Sequence, residues 1–128
     1  MLIVRFNQRR FSSKGVNMSE EEKRKMEIRE ILLKMGISAN LKGYHYILEA
    51  VEIIRKQTEK NNILVIYQQV CEKCKSKSAQ SVERAIRHSI EVSWNKQTMI
   101  RKIYSKKPIN SALLYDLVYN FDIFESQI

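Results

Sequence analysis

Four side chains that can recognise DNA bases occur within one short window, at Glu83, Arg84, Arg87 and His88. An arginine can donate two hydrogen bonds to guanine, and a carboxylate can accept one from the amino group of cytosine. Adjacent Glu83 and Arg84 could therefore read a cytosine and a guanine, on opposite strands or at neighbouring steps. Arg87 and His88, one helical turn further on, could read a base or hold a phosphate. The pattern predicts a surface that reads base edges.

A second group of polar residues precedes this window and is expected to contact phosphates or to shape the turn. It comprises Lys75, Lys77, Ser78, Gln80 and Ser81. The two lysines belong to a short polar turn, where the DNA backbone normally lies, and contacts with phosphate oxygens position a protein on the duplex.

The same charged residues also allow an interpretation without DNA. Glu83 and Arg87, and likewise Arg87 and Glu91, are four residues apart, and such pairs stabilise an exposed helix by ~0.2–0.5 kcal/mol each. Residue types and spacing alone leave DNA contact and a solvated, salt-bridged face as equal alternatives.

The helix that must position these side chains is predicted over residues 78–94. Its apolar and small residues recur at three- and four-residue steps, which predicts an inward face. That face consists of Val82, Ala85, Ile86, Ser89, Ile90 and Ser93. Ser78 is the expected N-cap, because its hydroxyl can accept from a free N–H group of the first turn. A preceding helix over 63–75 and the turn at 75–77 complete a helix-turn-helix arrangement.

The rest of the chain favours an all-α domain of six helices. Three glycines and one proline among 128 residues are too few for the many tight turns of an all-β fold. Further helices are predicted over 20–34, 41–58 and 95–104, followed by a last helix that carries Leu113, Leu117, Val118 and Phe121. Asn110 or Ser111 is its expected cap. Gly43 falls in the second helix, where it weakens the helix unless close packing requires it.

Charge divides the chain into two parts. The net charge is +9 and the isoelectric point about 9.7, so attraction to polyanions is expected, nucleic acid first. We expect a flexible basic tail over residues 1–19 and a helix-turn-helix domain over 20–124. The tail is either a phosphate-binding arm or a solvated extension. The longest apolar run, 63–67, is far too short for a membrane span, and the expected location is the cytoplasm, on the nucleoid.

Neither catalysis nor metal binding is indicated. The two histidines, His45 and His88, have no acid at a spacing that marks a triad, and no glycine-rich phosphate loop is present. Cys71 and Cys74 have a metal-like spacing, but structural zinc needs four ligands and no second pair follows. The cysteines are therefore expected in the core, and no cofactor or metal is expected.

Three segments resemble a known family. Residues 81–94, Ser-Val-Glu-Arg-Ala-Ile-Arg-His-Ser-Ile-Glu-Val-Ser-Trp, are similar to the recognition helix of the C-terminal effector domain of the sporulation master response regulator. Residues 36–50, with Gly36-Ile37 and Lys42-Gly43-Tyr44, and residues 107–111, with Lys107-Pro108 and Asn110-Ser111, also resemble this family. Together the segments span about residues 28–120 in the right order.

The resemblance implies a six-helix domain that binds a short promoter box as head-to-tail pairs, with contacts through the C-terminal helix. It places Glu83, Arg84, Arg87 and His88 on the DNA-facing side, with Arg84 the main base reader and Glu83 its partner.

The chain departs from the family pattern at three places. Family members usually have arginine at the position of Ser81, the stretch between Trp94 and Lys107 is shorter here, and residues 1–25 cannot form the receiver domain of the family. We therefore expect a regulator without a phosphorylation switch of its own. The alternative is a protein-interaction module that pairs with or antagonises a full-length relative through the C-terminal helix.

Overall fold

The structure is a computed structural model that describes residues 18–127. The predicted tail therefore lies almost entirely outside the described residues. Within them the chain forms helices and no strand: α1 (Glu20–Lys34), α2 (Lys42–Lys56), α3 (Ile63–Cys74), α4 (Ala79–Asn95), α5 (Ile100–Ile103), α6 (Asn110–Tyr119) and α7 (Asp122–Glu125). None of these helices is long and apolar enough to cross a membrane.

The all-α prediction is confirmed, and the number of helices differs from six by one short element. The predicted last helix is split, because Asn120 leaves helical geometry with φ −128° and ψ 39°. The chain then forms α7, which begins after Phe121 and places Phe124 in the core without solvent exposure. The helix predicted over 95–104 is shorter than expected, since only Ile100–Ile103 forms a separate helix there.

Local capping chemistry explains where several helices begin. Ser19 and Glu22 form a reciprocal capping box at the start of α1, with the Ser19 hydroxyl accepting from the Glu22 N–H at 3.1 Å. The Asn62 side chain caps α3 through the Val65 N–H at 3.0 Å. Ser78 caps α4 as predicted, accepting from the Ser81 N–H at 3.1 Å.

One core joins all seven described helices, with α5 contributing Ile100. The predicted inward face of α4 is buried at Val82, Ile86, Ser89, Ile90 and Ser93, and Ala85 is half-buried. Leu113, Leu117 and Phe121 are also buried in this core. These three side chains therefore offer no surface to a partner.

The crossing of α2 and α4 is unusually close and depends on Gly43. A β-carbon at Gly43 would overlap the Ser89 Oγ and the Ala85 carbonyl oxygen, and it would lie 2.9 Å from the Ser89 Cβ. The Ser89 hydroxyl donates to that carbonyl at 3.1 Å, which turns the hydroxyl along α4. Close packing thus explains a glycine inside a helix, and it fixes the depth at which α4 lies on α2.

Candidate nucleic-acid interface

The turn between α3 and α4 holds the two helices in a helix-turn-helix arrangement. Lys75 ends α3 in the left-handed region, with φ 55° and ψ 43°. The N–H of Lys75 and that of Ser76 both donate to the Cys71 carbonyl, the Ser76 bond being 3.1 Å. Glycine usually occupies such a left-handed position at the end of a helix. A lysine there has a less favourable backbone energy than glycine would have.

Changing Lys75 to glycine should therefore stabilise the fold while weakening any DNA binding. Removing the left-handed strain is expected to raise the free energy of unfolding by up to ~1 kcal/mol. Loss of the ammonium group should lower affinity for specific and scrambled duplexes equally, as expected for a phosphate contact. Denaturant titrations and duplex binding measure the two effects. Lys75→Ala is the control: it should weaken binding to the same extent without stabilising, and equal stability of the two variants would contradict the strain argument.

The two cysteines lie behind this turn. Both are half-buried and pack against the core, and the Cys71 thiol lies 3.3 Å from the Ser76 carbonyl oxygen, to which it donates. Burial raises the pKa of the Cys74 thiol. Their surroundings are those of structural side chains at the base of the turn.

The polar residues predicted at the front of α4 have different surroundings. Lys75, Lys77 and Gln80 are exposed, whereas Ser78 and Ser81 are half-buried. The hydroxyls of Ser78 and Ser81 lie 3.1 Å apart and bond to each other. Lysine and glutamine side chains are thus open to a ligand here, while the two serines are used mainly to begin the helix.

The base-reading candidates form two rows on the outer surface of α4. Arg84 and His88 are exposed, and neither has an ion-pair or hydrogen-bond partner among residues 18–127. In the neighbouring row, the Arg87 guanidinium contacts the half-buried Glu83 carboxylate at two points, with distances of 3.2 and 3.3 Å. The structure therefore contains one predicted salt bridge and leaves Arg84 and His88 available.

The second predicted salt bridge, between Arg87 and Glu91, is not formed. Glu91 instead accepts from the Lys107 ammonium at 3.1 Å, across to the loop before α6. The four-residue spacing along α4 predicts that Glu91 pairs with Arg87, but the tertiary fold brings Lys107 into contact with Glu91 instead.

This loop and α4 enclose a groove of about 500 Å³. It is lined by Arg84, Arg87, His88, Ile90, Glu91, Lys107, Pro108, Ile109 and Asn110. Three of the four predicted base readers therefore share one concave surface, and the loop residues 107–109 are an addition that was not predicted as part of the site.

Asn110 holds the loop against α4, and its predicted role as a helix cap is wrong. It is the first residue of α6, whose N-cap position is Ile109 with no side-chain cap. The buried Asn110 amide donates to the Glu83 carbonyl oxygen at 3.0 Å and to the Tyr67 hydroxyl at 3.1 Å. Burial also raises the pKa of that Tyr67 hydroxyl. Asn110 thus joins α3, α4 and α6 directly beneath the groove.

Comparison with protein families confirms the resemblance seen in the sequence. Residues 28–120 match the family described as Sporulation initiation factor Spo0A C terminal. The matched range contains the helix-turn-helix, the outer surface of α4 and the loop that carries Asn110. The family comprises DNA-binding effector domains of sporulation regulators and is not a family of enzymes. This chain belongs to the Spo0A C-terminal family of DNA-binding domains.

Proposed function

We propose that this protein is a transcription regulator that reads a short promoter box with the outer surface of α4. The observation that supports this most is the arrangement of Arg84 and His88, which are exposed side by side on the helix that follows the helix-turn-helix turn. Such a helix enters the major groove and contacts base edges with its first turns. Regulation of chromosomal genes would place the protein on the nucleoid.

Each candidate has a role in this proposal. Arg84 donates two hydrogen bonds to a guanine, and Glu83, held by Arg87, accepts from a neighbouring cytosine. His88 reads a base or a phosphate further along α4. Lys75 and Lys77 contact the backbone on the side of the turn, together with Gln80. Ser78 and Ser81 shape the start of α4, where the Ser78 hydroxyl accepts the Ser81 N–H.

An Arg84→Ala variant tests the proposal. A duplex is first selected from a random library with the unchanged protein. The variant should bind this selected duplex roughly 5- to 150-fold more weakly than the unchanged protein does, the equivalent of ~1–3 kcal/mol. Affinity for a scrambled duplex should fall much less, because a base contact carries sequence preference. Fluorescence anisotropy with both duplexes measures the ratio.

Arg29→Ala is the matched control, since Arg29 is an exposed arginine on α1, the helix that packs mainly against α2. It removes the same charge and should leave the preference between the two duplexes unchanged. If Arg84→Ala binds both duplexes as the unchanged protein does, α4 does not read DNA through Arg84 and the proposal fails.

A second candidate function is pairing through the C-terminal helix, either of two copies head to tail on adjacent boxes or with a full-length relative. The observation in its favour is Tyr119 on α6, which is 61% exposed and stacks on Tyr115 with ring centroids 6.1 Å apart. Tyr119→Ser should leave the affinity of a single copy for one box unchanged. Loss of cooperative binding to two adjacent boxes in this variant would support pairing through α6.

A further inference from the structure

Ile109 is a large aliphatic side chain left in solvent beside the charged surface of α4. It is 71% exposed, more than any other large apolar residue that the structure describes. It also lines the groove that contains Arg84, Arg87 and His88. A ligand that covers this side chain would remove apolar surface from water, which is energetically favourable.

The backbone on both sides of Ile109 is held in place. Pro108 is buried, and Asn110 is bonded to the Glu83 carbonyl of α4. The Ile109 carbonyl accepts the Leu113 N–H at 3.2 Å, which begins α6. The backbone at residue 109 is therefore held at a fixed place relative to α4, as a residue that contacts a specific atom requires.

We propose that Ile109 contacts the 5-methyl group of a thymine in the box, and so adds an apolar reading position to the polar ones on α4. This rests on the proposed function of α4. The 5-methyl group is the apolar feature that a T·A pair presents in the major groove, and apolar side chains recognise it. Ile109 lines the groove together with Arg87 and Glu91, so the thymine is expected next to the segment read by Arg84.

Deoxyuridine substitution tests this contact, because it removes only the methyl group and keeps every hydrogen-bonding atom of the base. In the selected duplex, each thymine is replaced singly by deoxyuridine, and the full 128-residue chain is titrated with each probe. One substitution should weaken binding of the unchanged protein roughly 3- to 5-fold, the worth of one buried methyl group. Ile109→Ala should bind the thymine and deoxyuridine probes equally at that position.

Two further variants serve as controls. Ile109→Leu keeps the apolar volume and should retain most of the thymine preference. Leu33→Ala shortens an exposed side chain on α1, which is 57% exposed, and should retain all of it. Circular dichroism of Ile109→Ala should show an unchanged helix content, since an exposed residue is altered.

Several outcomes would overturn the proposal. They are equal binding of all deoxyuridine probes by the unchanged protein, a selected box with no preferred thymine, and a thymine preference that survives in Ile109→Ala. Each of these leaves the function of α4 intact if Arg84→Ala still loses its sequence preference. Loss of the α4 function itself would appear as an Arg84→Ala variant with unchanged binding, so the two failures are distinguishable.

Discussion

Replacing Gly43 by alanine should lower the free energy of unfolding by a net ~2 kcal/mol, the overpacking itself costing about 3 kcal/mol. The added methyl group overlaps the Ala85 carbonyl oxygen and the Ser89 side chain. Ser89 can rotate, but a helical carbonyl cannot, so α2 and α4 must move apart. This penalty opposes the ~1 kcal/mol by which alanine favours a helix over glycine. Thermal and denaturant unfolding followed by circular dichroism measure the balance.

Gly36→Ala is the comparison for this change. Gly36 has φ +79°, and its new methyl group would meet chiefly the Lys96 side chain, which is flexible. The expected cost is only the left-handed backbone, ~1–2 kcal/mol. A Gly43→Ala protein as stable as the unchanged one would show that the helices adjust at no cost. Because α4 moves with the crossing, Gly43→Ala should also weaken binding to the selected duplex.

The second large effect is expected at Asn110, where leucine should cost ~2 kcal/mol of stability. Leucine has nearly the same shape as asparagine but cannot donate to the Tyr67 hydroxyl or to the Glu83 carbonyl. Tyr67 is only 4% exposed, so water cannot replace the lost donor easily. The Glu83 carbonyl oxygen still accepts its backbone hydrogen bond within α4. Most of the lost stability is therefore expected to come from the Tyr67 hydroxyl, which is left without its donor.

A double-mutant cycle with Tyr67→Phe separates these contributions. In the phenylalanine background no hydroxyl is left without its partner, and Asn110→Leu should cost less than about 1 kcal/mol. An equal cost in both backgrounds would show that the Tyr67 hydroxyl is not what Asn110 stabilises. Denaturant unfolding of the four proteins under one set of conditions provides the comparison.

Features governed by neighbouring residues were predictable from the sequence. The Ser78 cap, the buried face of α4 and the position of the turn each follow from rules that act over one or two helical turns. The salt bridge between Glu83 and Arg87 belongs to the same class. Gly43 was also recognisable, because a glycine inside a strong apolar pattern needs a packing reason.

Features that depend on distant contacts were not predictable in the same way. Asn110 has the composition of a helix cap, yet its partner Tyr67 is 43 residues away and the fold buries it. Glu91 has Arg87 within reach on its own helix, but the loop before α6 brings Lys107 closer. The break at Asn120 lets Phe124 enter the core, and no local signal favours it over a continuous helix. The loop wall of the groove was missed for this reason.

The internal salt bridges also have a consequence for how binding depends on ionic strength. Five cations lie on or beside the groove and the turn: Arg84, Arg87, Lys107, Lys75 and Lys77. Two of them already form ion pairs with carboxylates, Arg87 with Glu83 and Lys107 with Glu91. Phosphate neutralisation releases ions from DNA, with a slope of ~0.9 per phosphate. Because Arg84 is assigned to a base, this surface should contribute a slope of about 1.8 from Lys75 and Lys77 rather than about 3.6 from four phosphate-facing cations. Its hold on DNA should therefore vary less with the salt content of the cell than its charge suggests.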